Sequence, residues 1–344
     1  MTPAMTLEQI TAHDVQPEMV IHKKKTLMQS IMQGTDRQTL NMMNLLLEEA
    51  APLTSLNEIQ SIASERATIA RGKAMMLNIR VPADVSQGLR LKEADNHGQK
   101  LVEVTNIIAN ALQDETGLPI LRSASNIEVS DKNTASLSEA YLISRNVLNV
   151  LRDRNEARIR TMHNLSSLPY NHALKQEEAG YLGAAPIISV GKENNNPDGM
   201  HMEMLAGAKN MINITIDSKT TSEKLEALID MNKGADQGKL ALVFAMGAKN
   251  VDAQLGPLLD VVAKHGDALI TVCDPSSENK TLAEMKDEAI SFTNQCIARK
   301  ITPAGYDLAV NLSDISQQEM INDFIVPVAQ NHVRAQTRAI LRRG

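Results

Sequence analysis

The chain has 344 residues, 43% of them apolar, enough to bury one large core in a single α/β domain. A net charge of −6 and a pI near 5.8 exclude the basic excess of a general nucleic-acid binder. No run approaches the ~18 apolar residues of a membrane span, and the opening MTPAMTLEQITAHDVQPEM lacks the basic start and apolar centre of a secretory signal. Two cysteines, Cys273 and Cys296, make neither a disulfide framework nor a thiolate zinc site. A cytoplasmic protein with no nucleic-acid and no membrane partner is expected. Aromatic residues are scarce and methionines number 18, so flexible thioether side chains are expected to fill core space.

Residues 1–70 read as a helical extension. Leu27, Ile31 and Met32, then Leu40, Met43, Leu46 and Leu47, have helical spacing. Ala51-Pro52-Leu53-Thr54 interrupts the pattern, and a further helix is expected over Leu56–Ala70. Residues 71–344 then alternate short apolar runs with helical patterns. The expected strands are Ala74–Arg80, Pro119–Ser123, Arg158–Met162, Pro186–Val190, Ile212–Ile216, Leu240–Met246, Ala268–Cys273 and Tyr306–Asn311. Between them, Val102, Ile107, Ile108 and Leu112 mark one helix, and Leu142, Val147, Leu148 and Leu151 the next. Thr220 and Glu223 have capping-box spacing before Leu225, Leu228 and Ile229, with Gly234 as the stop. The clearest unit spans Lys239–Lys280. Its two buried strands flank a helix that Pro257 is expected to open and Gly266 to close. Two buried strands joined through a helix must run parallel. Eight such strands predict a TIM (β/α)8 barrel with an N-terminal helical extension.

Several segments resemble the class II DAHP synthases, metal-dependent barrels that condense phosphoenolpyruvate with erythrose 4-phosphate. Met246-Gly247, Leu255-x-Pro257-Leu258 and Cys273-Asp274-Pro275 keep the frame of the family's TRMG…LPPL…CDPMHGNT stretch. Ile69–Leu77, Gly117–Ile120, Thr161–Asn164 with Pro169-Tyr170, Gly191–Glu203 and Ala208–Asn210 follow other family segments in order. The resemblance implies the barrel, a homo-oligomer in which the N-terminal extension joins subunit contacts, and a shortened member of the family.

It also implies a site with a Lewis-acid metal and an Arg/Lys cradle for phosphates and a carboxylate. At the positions it designates, the residue types differ. The family's metal ligands fall near Pro82, on Ser277 and on Ala309, and the terminal Asp motif is absent. Its cradle arginines fall near Ser125 and on Ala245, its lysine on Thr215, its Ser-His-Glu glutamate on Asn164, and its Glu-Arg pair on Lys192-Glu193. No metal ligand set and no cofactor are therefore expected.

Polar groups remain at the expected strand ends. His163, Glu193 and Asp274 are candidates for general acid–base work, and Arg80, Arg122, Asn164, Lys192, Asp217, Glu278 and Asp307 for ligand contact, with Asn311 beside them. The plain alternative is a solvated rim, with His163 and His201 as hydrogen-bonded structural histidines and Asn194–Asn196 as a polar loop. No expected strand carries an internal lysine, which argues against a Schiff-base aldolase, although Lys219 and Lys249 lie just past strand ends. P-loop, G-x-S-x-G and H-E-x-x-H motifs are absent. One reading is a metal-independent enzyme or binder of a small polar metabolite in a specialised biosynthetic pathway. A second is a pseudoenzyme that regulates or scaffolds a pathway enzyme. The third is an ordinary DAHP synthase.

Overall fold

The computed structural model describes residues 51–80, 91–125, 137–153, 159–232, 234–279, 281–310 and 317–341. The helices expected over Leu27–Leu47 lie outside these residues, as do Pro82 and Asn311.

Eight parallel strands close into a barrel: β1 (Met75–Arg80), β2 (Ile120–Ser125), β3 (Arg160–Asn164), β4 (Ile187–Val190), β5 (Met211–Asp217), β6 (Leu240–Ala245), β7 (Leu269–Cys273) and β8 (Pro303–Ala309). Each strand pairs with its neighbours in sequence, and β8 returns to β1 with Met76 opposite Gly305 and Arg80 opposite Ala309. The strands are apolar on both faces because both are covered. Met76, Leu121, Met162, Ile187, Met211, Val243 and Val272 belong to the cluster inside the barrel. The alternate residues, such as Leu77, Ile188, Leu242 and Phe244, join the cluster beneath the surrounding helices. Gly305 has φ 143°, and a Cβ there would sit 1.9 Å from the Met76 carbonyl oxygen, so the β1–β8 seam closes only around glycine.

The expected helix over Leu56–Ala70 forms as two pieces, α1 (Leu56–Ser61) and α2 (Ala63–Ala70). Ser55 and Glu58 make a capping box for the first, and Glu58 also takes Arg152 in an ion pair of 3.0 Å. Ile62 and Ile69 are fully buried in the same cluster as the barrel's inward residues, so this part of the extension belongs to the core. Each such isoleucine contributes roughly 2 kcal/mol of apolar burial.

The outer helices are α3 (Ala94–Thr116), α4 (Leu137–Asp153), α5 (Leu168–Ala173), α6 (Met200–Leu205), α7 (Ser222–Asp230), α8 (Val251–Ala263) and α9 (Leu282–Ala298). A final helical stretch runs through Gln317–Glu319, a π segment Met320–Ile325, and α10 (Val326–Leu341). An antiparallel pair of two-residue strands, Lys175–Gln176 and Tyr181–Leu182, sits between α5 and β4. Asn210 fixes it to the barrel by hydrogen bonds to the Leu182 and Ala185 carbonyls and from the Leu182 N–H.

Two helix starts differ from expectation. Pro257 lies inside α8, which begins at Val251. The Asn250 side chain donates to the Met246 carbonyl, and the Gly247 carbonyl accepts the Asn250 and Val251 N–H groups, so the turn starts before the proline. Helix α7 is capped by Thr221, whose hydroxyl accepts the Lys224 N–H; the hydroxyl of Thr220 bonds Asp217 instead. Among the described residues, no helix is long and apolar enough to cross a membrane.

Candidate functional site

A cavity of about 210 Å³ opens at the C-terminal ends of the strands. This is the end of a (β/α)8 barrel where ligand sites are built, because the loops after the strands converge there. All eight described positions singled out by the family resemblance line it: Ser125, Asn164, the Lys192-Glu193 pair, Thr215, Ala245, Ser277 and Ala309. Arg80, Asp274 and Asp307 line it too.

Arg80 organises the floor. It ends β1 with its side chain inward, and its guanidinium binds two carboxylates that are each about 3% exposed. Its Nε donates to Asp307, and one terminal nitrogen donates to Asp274 and, at 3.2 Å, to the Ser277 hydroxyl. Asp307 also accepts the Asn78 amide at 3.0 Å, and Asn78 accepts the Ser123 hydroxyl. Asp274 begins a turn: one oxygen accepts the Ser276 N–H and hydroxyl and the Ser277 N–H, and the other accepts the Ser277 hydroxyl. The Ser276 hydroxyl in turn accepts the Ala309 N–H at 2.7 Å, tying this loop to β8. Burial pushes the Asp307 carboxyl above the usual carboxylate range and Asp274 adds to the push, while Arg80 and Asn78 oppose it.

Across the mouth, Lys192 pairs with Glu278. The hydrogen bond to Glu278 raises the Lys192 pKa, and the fields of Asp217 and Glu193 add to it. Glu193 is exposed, faces the cavity, and folds back over Gly191, where a Cβ would meet its carboxylate at 2.2 Å. Asp217 caps the turn after β5 by accepting the Lys219 N–H and the Thr220 hydroxyl. The loop before α6 is anchored by Asn195, 1% exposed, whose amide donates to the Thr215 carbonyl at 2.6 Å and whose oxygen accepts Lys224. Within the run expected as a plain polar loop, Asn195 is a buried latch, while Asn196 is exposed.

Of the ten candidate residues, six meet in the cavity: Arg80, Asn164, Lys192, Glu193, Asp274 and Asp307. Glu278 and Asp217 support the rim. His163 and Arg122 are not part of the mouth. Strands β2 and β3 each extend two residues past their expected ends, and alternation then turns positions 122 and 163 outward. Arg122 donates to Asn110 on α3 at 2.7 Å, and burial lowers its pKa. His163 is fully buried, 3.2 Å from the Asn171 amide, with its ring 5.4 Å from Tyr170. Burial pushes its pKa down to about 4. Asp274, expected as a candidate base, is fully engaged as the anchor of its turn.

Buried His332 on α10 shares this shift, to about 4. The folded state disfavours the charged imidazole in both, so their contribution is fully present above the ordinary value of 6.5 and is lost as pH falls toward 4. An NMR titration should find the His163 ring neutral down to about pH 5. A His163 midpoint near 6.5 would mean that the ring reaches solvent.

Sequence reading missed Glu288. It lies on α9 at 1% exposure and accepts the Met246 and Gly247 N–H groups at 2.8 and 2.9 Å and the Asn279 amide at 2.6 Å. Gly247, with φ 77°, lets the chain turn so that both N–H groups point to one carboxylate. Burial pushes Glu288 up to about 7 in spite of those three donors. The signal was available: Met285, Glu288, Ala289, Phe292 and Cys296 form one otherwise apolar helix face. Cys273 faces the same packing layer, and burial raises its thiol pKa well out of the nucleophilic range.

The matching family description is the class-II DAHP synthetase family, over residues 152–294. A relative described as "Probable phospho-2-dehydro-3-deoxyheptonate aldolase, chloroplastic" from Catharanthus roseus is 32% identical over 124 residues, covering 35% of this chain and 25% of the relative. Over residues 152–294 the chain is similar to the class-II DAHP synthetase family. A second relative, "Probable phospho-2-dehydro-3-deoxyheptonate aldolase" from Pseudomonas fluorescens, is 23% identical over 171 residues, covering 46% of this chain and 43% of the relative. The matches thus span from a quarter to less than half of these curated relatives. Among the described residues, the side chains at the positions designated by the resemblance do not fit the metal it implies. Positions 277 and 309 carry Ser and Ala, and Asp274 and Asp307 are clamped on Arg80. No group of three or more His, Cys, Asp or Glu side chains among the described residues could hold a metal ion.

Proposed function

We propose that this DAHP synthetase-like barrel acts as a metal-independent enzyme or binder for a small polar metabolite that is uncharged or carries an amine. The observation that carries this reading is the position of Arg80 between Asp274 and Asp307. A guanidinium held by two buried carboxylates has its strongest donors taken, and an incoming phosphate would meet both negative charges. The other cation lining the cavity among the described residues, Lys192, is paired with Glu278. Among the described residues, two cations and three carboxylates line the cavity, whereas a cradle for two phosphates and a carboxylate needs an excess of positive charge.

The rest of the lining suits a polyol or amino-polyol. Ser125, Ser189, Thr215 and Ser277 offer hydroxyls and Asn164 an amide. Glu193 is the carboxylate placed to accept from a hydroxyl or an ammonium group. The volume lies below the roughly 300–1,000 Å³ of drug-sized pockets, which sets a limit of one small molecule.

The test is a thermal-shift screen of EDTA-treated protein against sugars, polyols, amino-sugars and their phosphorylated counterparts. Ligand at a hundred times its Kd adds about 2.7 kcal/mol, which is readily seen. Unphosphorylated compounds should give the shifts, and Glu193→Gln should weaken an amine-bearing ligand by about tenfold. A panel in which only phosphorylated compounds shift the protein, with the shift lost in Lys192→Gln at the mouth, would overturn the ligand class. No shift with any compound would leave the surface, as in the pseudoenzyme reading, to carry the function.

A further inference from the structure

The opposite end of the barrel holds a second polar cavity, of about 350 Å³, between α2 and the loops that enter β5 and β6. Arg66 on α2, Lys209 before β5 and Lys239 before β6 line it, with Asp236 as the carboxylate among them. Arg66 is 4% exposed, an unusual degree of burial for a guanidinium. One terminal nitrogen donates to Asp236 at 3.0 Å, while Nε is buried with no acceptor among the described residues. The Asp236 side chain is 83% exposed, so water screens much of its charge. Among the described residues, three cations therefore face one weakly compensating carboxylate.

The backbone holds this arrangement in place. A Cβ on Gly238, which has φ 71°, would lie 2.6 Å from the Arg66 carbonyl oxygen, so α2 and the entry to β6 are in close contact. Ile62 and Ile69 on either side of Arg66 are locked into the barrel core, which leaves the arginine no route away from Lys239. Burial lowers the pKa of both Arg66 and Lys239, and Arg66 lowers that of Lys239 further. An anion would relieve both effects.

We propose that this cavity is a binding site for a small phosphate-type dianion, free or as a simple monoester, that ties α2 to β5 and β6. A dianion matches three cations less one carboxylate, and the guanidinium fork provides the geometry that phosphate oxygens prefer. The site is separate from the mouth, and neither requires the other.

Isothermal titration of the full chain with inorganic phosphate and with glycerol phosphate, against chloride at matched ionic strength, provides the test. Saturable binding of at least one phosphate species, with no chloride response, is expected. Lys239→Gln should weaken it about tenfold, the loss of one charge-assisted contact. Lys209→Gln with Lys239→Gln should abolish it, whereas Lys264→Gln, at an exposed pair with Glu226, should not change it. A preference between the two phosphate species identifies the source of the ligand. Should Lys239→Gln fail to fold, Lys209→Glu alone, at an exposed residue, should still remove binding. Phosphate binding no different from chloride, or undiminished in a folded Lys209 or Lys239 variant, would overturn the proposal.

Discussion

Arg80→Ala is expected to lower unfolding stability by about 3 kcal/mol at pH 7, because it leaves two buried carboxylates facing each other without their common cation. Both aspartates are about 3% exposed, while Arg80 is 31% exposed, which places the loss at the low end for a broken buried pair. Urea denaturation gives the number. The loss should shrink on acidification, since the Asp307 carboxyl, raised by burial, is favoured protonated in the fold, and that stability disappears as pH rises through its folded pKa. Adding Asp307→Asn to Arg80→Ala should recover much of the loss. A loss under about 0.5 kcal/mol would place Arg80 among ordinary surface pairs and remove the basis for the ligand class proposed above.

Glu288→Ala should cost about 3 kcal/mol or more, because it strands the Met246 and Gly247 N–H groups and the Asn279 amide in a buried loop. Glu288→Gln separates charge from packing. The folded pKa of Glu288, about 7, lies above the ordinary 4.5, so its stabilisation is present below 4.5 and declines as pH rises to 7. His163 and His332 act in the opposite direction over much of the same range. The wild-type curve alone therefore conceals the glutamate, and the difference curve shows it. Relative to wild type, Glu288→Gln should gain about 1.4 kcal/mol per pH unit between roughly 4.5 and 7. A flat difference would mean that Glu288 is ionised throughout, as its three donors would favour.

The barrel was legible because its strands are buried on both faces. Runs such as Leu240–Met246 and Ala268–Cys273 are short and continuously apolar, and all eight expected strands are present, displaced by a few residues at most. The mouth was legible through its alignment with the family frame, which brought Ser125, Thr215, Ala245, Ser277 and Ala309 to one cavity from five strands or the loops after them. The errors came from strand ends. Polar residues such as Ser125 and Asn164 continue a strand when they face a solvated barrel mouth, and apolar periodicity does not register them. Two missing residues on β2 and β3 were enough to turn Arg122 and His163 from wall residues into apparent site residues. Pro257 misled in a similar way, since proline at the first turn is a preference and the preceding residues supplied their own start. The clamp on Arg80 was not readable at all. Asp274, just past the end of β7, and Asp307, within β8, lie 33 residues apart, and only the register brings both to Arg80 at the end of β1.

The most direct test is calorimetric titration of EDTA-treated protein with phosphoenolpyruvate, with and without Mn²⁺. The charge arrangement at the mouth predicts no Mn²⁺-dependent binding there, and no change in any residual signal on Arg80→Met, where the cation is removed. Tight binding that requires Mn²⁺ and is lost in the Arg80 variant would contradict it, showing that Arg80 leaves its two aspartates to hold an anion beside a metal.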